Sequence, residues 1–268
     1  MKKRFELQDE PILEPGLAII DAHHHLFDRP AARYLLDDIL TDCALGHDIR
    51  ATVYIESQFA FDPDGPAHLR PVGETRFANA IAENCAASQA PVQVNAAIVG
   101  YADMTDPQVE ETLDAHIAAG RGRFRGIRQV AMHDADPAYR ALMFAPPPEG
   151  LLDHPDFARG MGALARRGLS FDTAILHPQM SALARLADRC PDTVIVLNHL
   201  GFAYGMGRPE DVFGAWRDGL ADLALRHNVV AKIGGFGMPF WGFGFDRAAG
   251  PADSTALAQV WRPYVETA

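Results

Sequence analysis

Cysteine is scarce in this chain. Cys43, Cys85 and Cys190 are the only three in 268 residues, and they form no CxxC pair. An odd, scattered set argues against a disulfide framework and fits a reducing cytoplasm, the expected location. Positive charge is also in deficit. There are 24 Lys and Arg against 35 Asp and Glu, a net charge of -11, and no basic cluster exceeds the opening MKKR. Nucleic-acid partners are therefore not expected. No apolar run is long enough to cross a membrane. The first residues, MKKRFELQDEP, turn acidic before any apolar run begins, unlike a secretory leader. Also missing are the phosphate loop GxxxxGK[ST], a glycine-rich turn after the first apolar run, and the GxSxG elbow. Catalysis by a nucleophilic serine or cysteine is not expected.

What is present is alternation. Short apolar runs at 17–22, 51–56, 92–98, 124–130, 169–175, 193–198 and 228–233 read as buried strands. Helical spacing occupies Glu74–Ser88, Pro107–Ala119, Asp156–Arg167, Gln179–Asp188 and Glu210–Arg226, with Gly120 and Gly168 as stop signals. Apolar strands alternating with helices indicate a parallel sheet covered by helices, hence an α/β chain. With histidines where a dinucleotide turn would stand, a (β/α)8 TIM barrel is expected, as a single domain over 1–268. Only seven strands can be counted. The final stretch, STALAQVWRPYVETA, reads as a helix with no strand after it. The eighth strand is thus apparently lacking, and the expectation is that the natural chain continues or that a partner covers the open edges.

Histidines mark the strand ends. In DAHHHLFD, His23 and His25 lie two apart and share one face of an extended backbone, whereas His24 points the other way. His177 follows the fifth apolar run, in ILHPQM, and His199 the sixth, in VLNHLG. Residues past the strand ends of a parallel barrel converge on one mouth. Neutral imidazoles gathered there can ligate a metal or stabilise an oxyanion. His47, His68, His116, His133, His154 and His227 sit in helices or polar loops and read as surface residues.

Three other positions stand out. Arg125 and Arg128 in FRGIRQV must point to opposite faces, and Arg128, nearer the mouth, is the candidate for a substrate carboxylate or lactone carbonyl. Glu56 ends the second run and could meet substrate hydroxyls, orient a histidine or pair with an arginine. Lys232 ends the seventh and could meet an anionic substrate, pair with an aspartate, or snorkel along a helix. The glycine- and aromatic-rich GGFGMPFWGFGF (234–245) reads as a mobile apolar wall over the mouth or as an interface between copies of the chain.

IDAHHHLFD, FRGIRQ, LHPQM, NHLG and AKIGGFGM resemble the amidohydrolase superfamily from about residue 17 onward. More closely, they look like its branch of sugar-lactone and pyrone-dicarboxylate lactonases, the amidohydrolase-2 or TIM-barrel metal-dependent hydrolases. The resemblance implies a hydrolase that opens a lactone of a sugar acid or a ring-cleavage dicarboxylate. It also implies catalytic roles for His23, His25, His177 and His199, and substrate contacts from Arg128, Glu56 and Lys232. No cofactor is required on this reading. A divalent metal such as zinc, if bound, would take the same four histidines. In the family an eighth strand carries an aspartate that activates water, and Asp246 does not match that position. Two other readings stay open: a metal-dependent decarboxylase of an aromatic or unsaturated acid, and a non-catalytic barrel.

Overall fold

The computed structural model describes residues 10–30, 32–143, 145–203, 212–245, 248 and 250–268. Asp246, and the start of the expected helix at Glu210, lie outside the described residues. The chain begins with β1 (Ala18–His24), a small antiparallel hairpin of β2 (Phe27–Arg29) and β3 (Ala32–Tyr34), and α1 (Leu36–Cys43). Strands and helices then alternate: β4 (Asp48–Ile55), α2 (Val72–Ala87), β5 (Gln93–Gly100), α3 (Val109–Gly120) and β6 (Phe124–Arg128). After a short α4 (Pro137–Arg140) and α5 (Phe157–Arg166) come β7 (Ser170–Thr173), α6 (Met180–Arg189) and β8 (Ile195–Leu197). The final elements are α7 (Phe213–Leu223), β9 (Val229–Ala231) and α8 (Ser254–Thr267).

Seven strands form one wholly parallel sheet in the order β1-β4-β5-β6-β7-β8-β9, an α/β half-barrel among the described residues. Each neighbour is the next strand in sequence, because each intervening helix is long enough to return the chain and too amphipathic to leave the sheet. Met161 and Leu164 of α5, and Leu183 and Leu186 of α6, are fully buried in the same core as Phe171 and Ile195 of the strands. At about 25 cal/mol per Å² of apolar surface, this burial is what holds the layers together. No helix of the described residues is long and apolar enough to cross a membrane.

Several expectations need correction. LAIIDA is not a buried strand: β1 ends the sheet order, and Leu17 and Ile20 are 59% and 65% exposed. At the other end, Val230 of β9 is exposed too. The β2–β3 hairpin escapes a periodicity reading because its arms are only three residues long. Gly120 is the last residue of α3 and not its stop; Arg121 takes the left-handed turn at φ 47°. Gly120 serves packing instead, since a Cβ there would stand 2.7 Å from Phe124 Cβ. His116 is no surface residue. It is fully buried, bonded to Thr75 and the Tyr101 carbonyl, and stacked on Phe124.

Candidate active site

The strand ends do gather imidazoles. His23 lies within β1, and His25 one residue beyond it. Their Nε2 atoms are 3.3 Å apart. His24 turns away, as alternation requires, and meets Thr52 Oγ1 at 2.9 Å. His199 reaches the same point from the end of β8, its ring centroid 4.6 Å from that of His23. It does so from a left-handed backbone, φ 53°, continued by Leu200 at φ 54°. Such a conformation is costly for a non-glycine residue and persists only where surrounding contacts hold it. One contact is visible: Gly235 packs so closely on the imidazole that a Cβ there would lie 2.5 Å from His199 Nδ1. His177 begins the short turn after β7 and is half-buried, its N–H donating to the Phe202 carbonyl.

Arg128 joins the cluster from the end of β6. Its Nε donates to Glu56 Oε1 at 2.7 Å, and its Nη2 donates to the Glu56 carbonyl. That leaves Nη1 directed at His23 Nε2, 3.4 Å away. Arg125 points outward and, among the described residues, binds only backbone carbonyls, so the opposite-face expectation holds. Glu56 is therefore the partner of an arginine. Lys232 does not snorkel. Its Nζ lies 2.8 Å from Asp172 Oδ2, and Asn198 donates to the same oxygen at 3.1 Å. Sequence reasoning passes over Asp172 and Asn198. The available signal was a carboxylate inside the apolar run LSFDTAI, because a buried charge needs a partner.

Burial and the neighbouring Arg128 cation hold the imidazoles neutral. His23 is pushed far below the ordinary imidazole range, His25 down to about 3 and His199 to about 4. The tautomers follow from the partners. Ile55 O, 2.8 Å from His25 Nδ1, can only accept, so His25 carries its proton there and presents a lone pair at Nε2. A guanidinium can only donate, so His23 Nε2 also presents a lone pair. Two lone pairs thus face one spot, beside a fixed cation.

That pair has the bite a tetrahedral ion would span at bonds of roughly 2.0–2.1 Å. The rest of the site does not fit one. The Arg128 guanidinium already occupies the His23 lone pair, and no three His, Cys, Asp or Glu side chains among the described residues are grouped to hold a metal. The arrangement suits an anion or a polarised carbonyl.

The segment 234–245 packs more closely than a mobile wall. Phe236 and Trp241 are buried, and the cluster ties to Trp261 and Tyr264 of α8 and to Phe202 beside His199.

A parallel sheet that brings imidazoles and an arginine to the C-terminal ends of its strands has the plan of a βα-barrel enzyme. Comparison with known proteins gives the family. The model of the Amidohydrolase family (Amidohydro_2) matches residues 20–266, and the chain belongs to that family of hydrolases. An uncharacterised protein of Sinorhizobium fredii, y4mH, is 32% identical over 94% of this chain and 80% of its own length. An L-fucono-1,5-lactonase of Burkholderia multivorans is 29% identical over 52% of this chain and 43% of its own length. Among solved structures, an amidohydrolase from Burkholderia multivorans with bound HEPES superposes with a TM-score of 0.63. It is 23% identical, with 92% of this chain and 78% of that one covered. A zinc-bound form aligns over 81% of this chain and 69% of that one, at a TM-score of 0.56 and 24% identity. These two structural likenesses establish the fold.

Proposed function

We propose that this chain opens the ring of a lactone by attack of water at the mouth formed by His23, His25, His199 and Arg128. The observation that carries the reading is Arg128 Nη1, held in place by Glu56 and set among imidazoles that stay neutral. A fixed cationic donor beside a neutral imidazole, His25, whose Nε2 presents a lone pair supports ester hydrolysis by water.

In this mechanism the lactone carbonyl oxygen accepts from Arg128 Nη1. A water donates to the lone pair on His25 Nε2 and attacks the carbonyl carbon. The imidazole takes the water's proton as the tetrahedral oxyanion forms against the guanidinium. Collapse breaks the ring C–O bond, and the imidazolium returns the proton to the departing ring oxygen. The product is a hydroxy acid. Lys232, tied to Asp172, adds positive potential that helps hold His23 and His199 unprotonated. The similarity to L-fucono-1,5-lactonases over half the chain supports a lactone as the substrate.

The test is proton release from a lactone panel that includes L-fucono-1,5-lactone, with and without a chelator. The expected result is opening of at least one lactone at a kcat/KM above about 10⁴ M⁻¹s⁻¹, unaffected by chelation. Release of CO₂ from an aromatic acid, with no lactone opened, would replace this reading by the decarboxylase.

A further inference from the structure

A cavity of about 250 Å³ is lined by Gln129, the residue that follows Arg128 in the chain. Its polar wall comes from three adjacent strand ends: Gln58 after β4, Tyr101 and Asp103 after β5, and Gln129 after β6. Three consecutive prolines (146–148) add apolar lining. All of these positions are on the mouth side of the sheet. From them we infer that this cavity is the subsite for the hydroxyl-bearing part of a neutral sugar lactone. The inference rests on the lactonase reading above and narrows it to one of the two substrate classes, against a dicarboxylate lactone.

Four observations carry it. First, the wall is physically joined to the reacting end. Glu56 Oε2 accepts from Gln58 N at 3.1 Å while Glu56 Oε1 accepts from Arg128 Nε. A substrate reaching from Arg128 into this cavity would therefore be read by parts of one hydrogen-bonded unit. Second, the wall has unused capacity. Among the described residues, neither the Tyr101 hydroxyl nor the Gln58 side-chain amide has a protein partner, and both residues are only half-buried. Gln58 is moreover held at φ 55°, a conformation non-glycine residues seldom adopt outside sites that need it.

Third, the other members are oriented. Gln129 is buried, accepting from Met104 N through Oε1 and donating from Nε2 to Asp103 Oδ1 at 3.3 Å. Asp103 is further aimed by Thr105, whose N–H and hydroxyl both donate to the same Oδ1. Among the described residues, the second carboxylate oxygen accepts no hydrogen bond, which leaves it for a ligand donor. Fourth, the charge is of the wrong sign for a second carboxylate. Among the described residues, Asp103 is the one charged residue that lines the cavity, and no lysine or arginine does. A dicarboxylate would place an anion against Asp103, whereas a hydroxyl can donate to it and accept from Tyr101 or Gln58. The Tyr101 ring, stacked at 29° on Phe61, and the prolines offer apolar faces to the C–H side of a sugar ring.

The experiment compares kcat/KM for L-fucono-1,5-lactone, unsubstituted δ-valerolactone and 2-pyrone-4,6-dicarboxylic acid. It uses wild-type protein and the variants Tyr101→Phe, Gln58→Ala and Asp103→Asn. The hydroxylated lactone should be preferred over δ-valerolactone by about 10²-fold or more, and each substitution should cut that ratio about tenfold. Equal losses on both lactones would show that these residues only support the fold and would overturn the inference. So would wild-type preference for the dicarboxylate. If the wild-type protein opens no lactone, the lactonase reading fails by itself, and calorimetric titration with L-fucono-1,5-lactone then decides the subsite. Binding that weakens in Tyr101→Phe and Gln58→Ala supports it, and absence of binding to the wild type refutes it.

Discussion

Arg128 holds Glu56 by two contacts, one to the carboxylate and one to the backbone carbonyl, across 72 residues of sequence. The pair is almost wholly withdrawn from solvent, with Glu56 at 1% side-chain exposure and Arg128 at 11%. Two arms of the guanidinium fork are spent on position. The third, Nη1, is directed at His23 Nε2 and keeps a second N–H for a substrate oxygen.

Arg128→Lys should therefore be far from conservative. A single ammonium cannot satisfy Glu56 and also present a donor beside His23. The expected loss in kcat on an opened lactone is about 10²–10³-fold, the usual effect of removing an oxyanion donor. Steady-state kinetics check this. A variant within threefold of wild type would remove Arg128 from the reaction.

Gly235→Ala should act through His199. The new methyl would sit 2.5 Å from the imidazole, on a backbone at φ 71° that disfavours any side chain. Overpacking of this kind costs about 1–3 kcal/mol and should displace the ring. Gly234→Ala is the control, since a Cβ there meets nothing within 4 Å. Thermal melts and kinetics on both variants should show a drop in the first and little change in the second.

Lys232→Met should destabilise by about 3–5 kcal/mol, because it strands the Asp172 carboxylate, which is only 2% exposed. Adding Asp172→Asn to it should recover much of that loss. Urea unfolding of the two single variants and the double variant measures the coupling. Additive losses would mean that the ion pair contributes nothing as a pair.

Acid should unfold the protein early. His24, His25, His116 and His199 have folded-state pKa values depressed to about 4, 3, 4 and 4 from an ordinary 6.5. A depressed imidazole stabilises the fold fully above 6.5 and loses that contribution as pH falls toward the folded value. Each should remove about 1.4 kcal/mol per pH unit in that window. Glu74 works the other way. Burial, then the nearby Glu56, raises it to about 7, so its contribution is lost as pH rises from 4.5 through 7. Glu74→Gln keeps the Oε1 acceptor used by Tyr54, Ser57 and Phe59. It should raise the melting temperature at pH 8 and leave it unchanged at pH 4. Melts across that range test both trends, and a flat profile from pH 7 to 4 would contradict the first.

The parallel α/β plan was legible in the chain itself, because buried strands and amphipathic helices leave period and length signals that need no distant contact to interpret. The same holds for the opposed directions of His23 and His24 and of Arg125 and Arg128, which strand alternation alone dictates. Tertiary structure decided the pairings. Glu56 with Arg128, and Asp172 with Lys232, lie far apart in sequence, and a carboxylate on one strand can meet any cation that the sheet order brings beside it. Tertiary structure alone also exposed Ile20 and buried His116, for burial depends on what packs against a residue. The approach of Gly235 to His199 belongs to the same class: a glycine's missing Cβ acquires meaning only when a second segment fills its space.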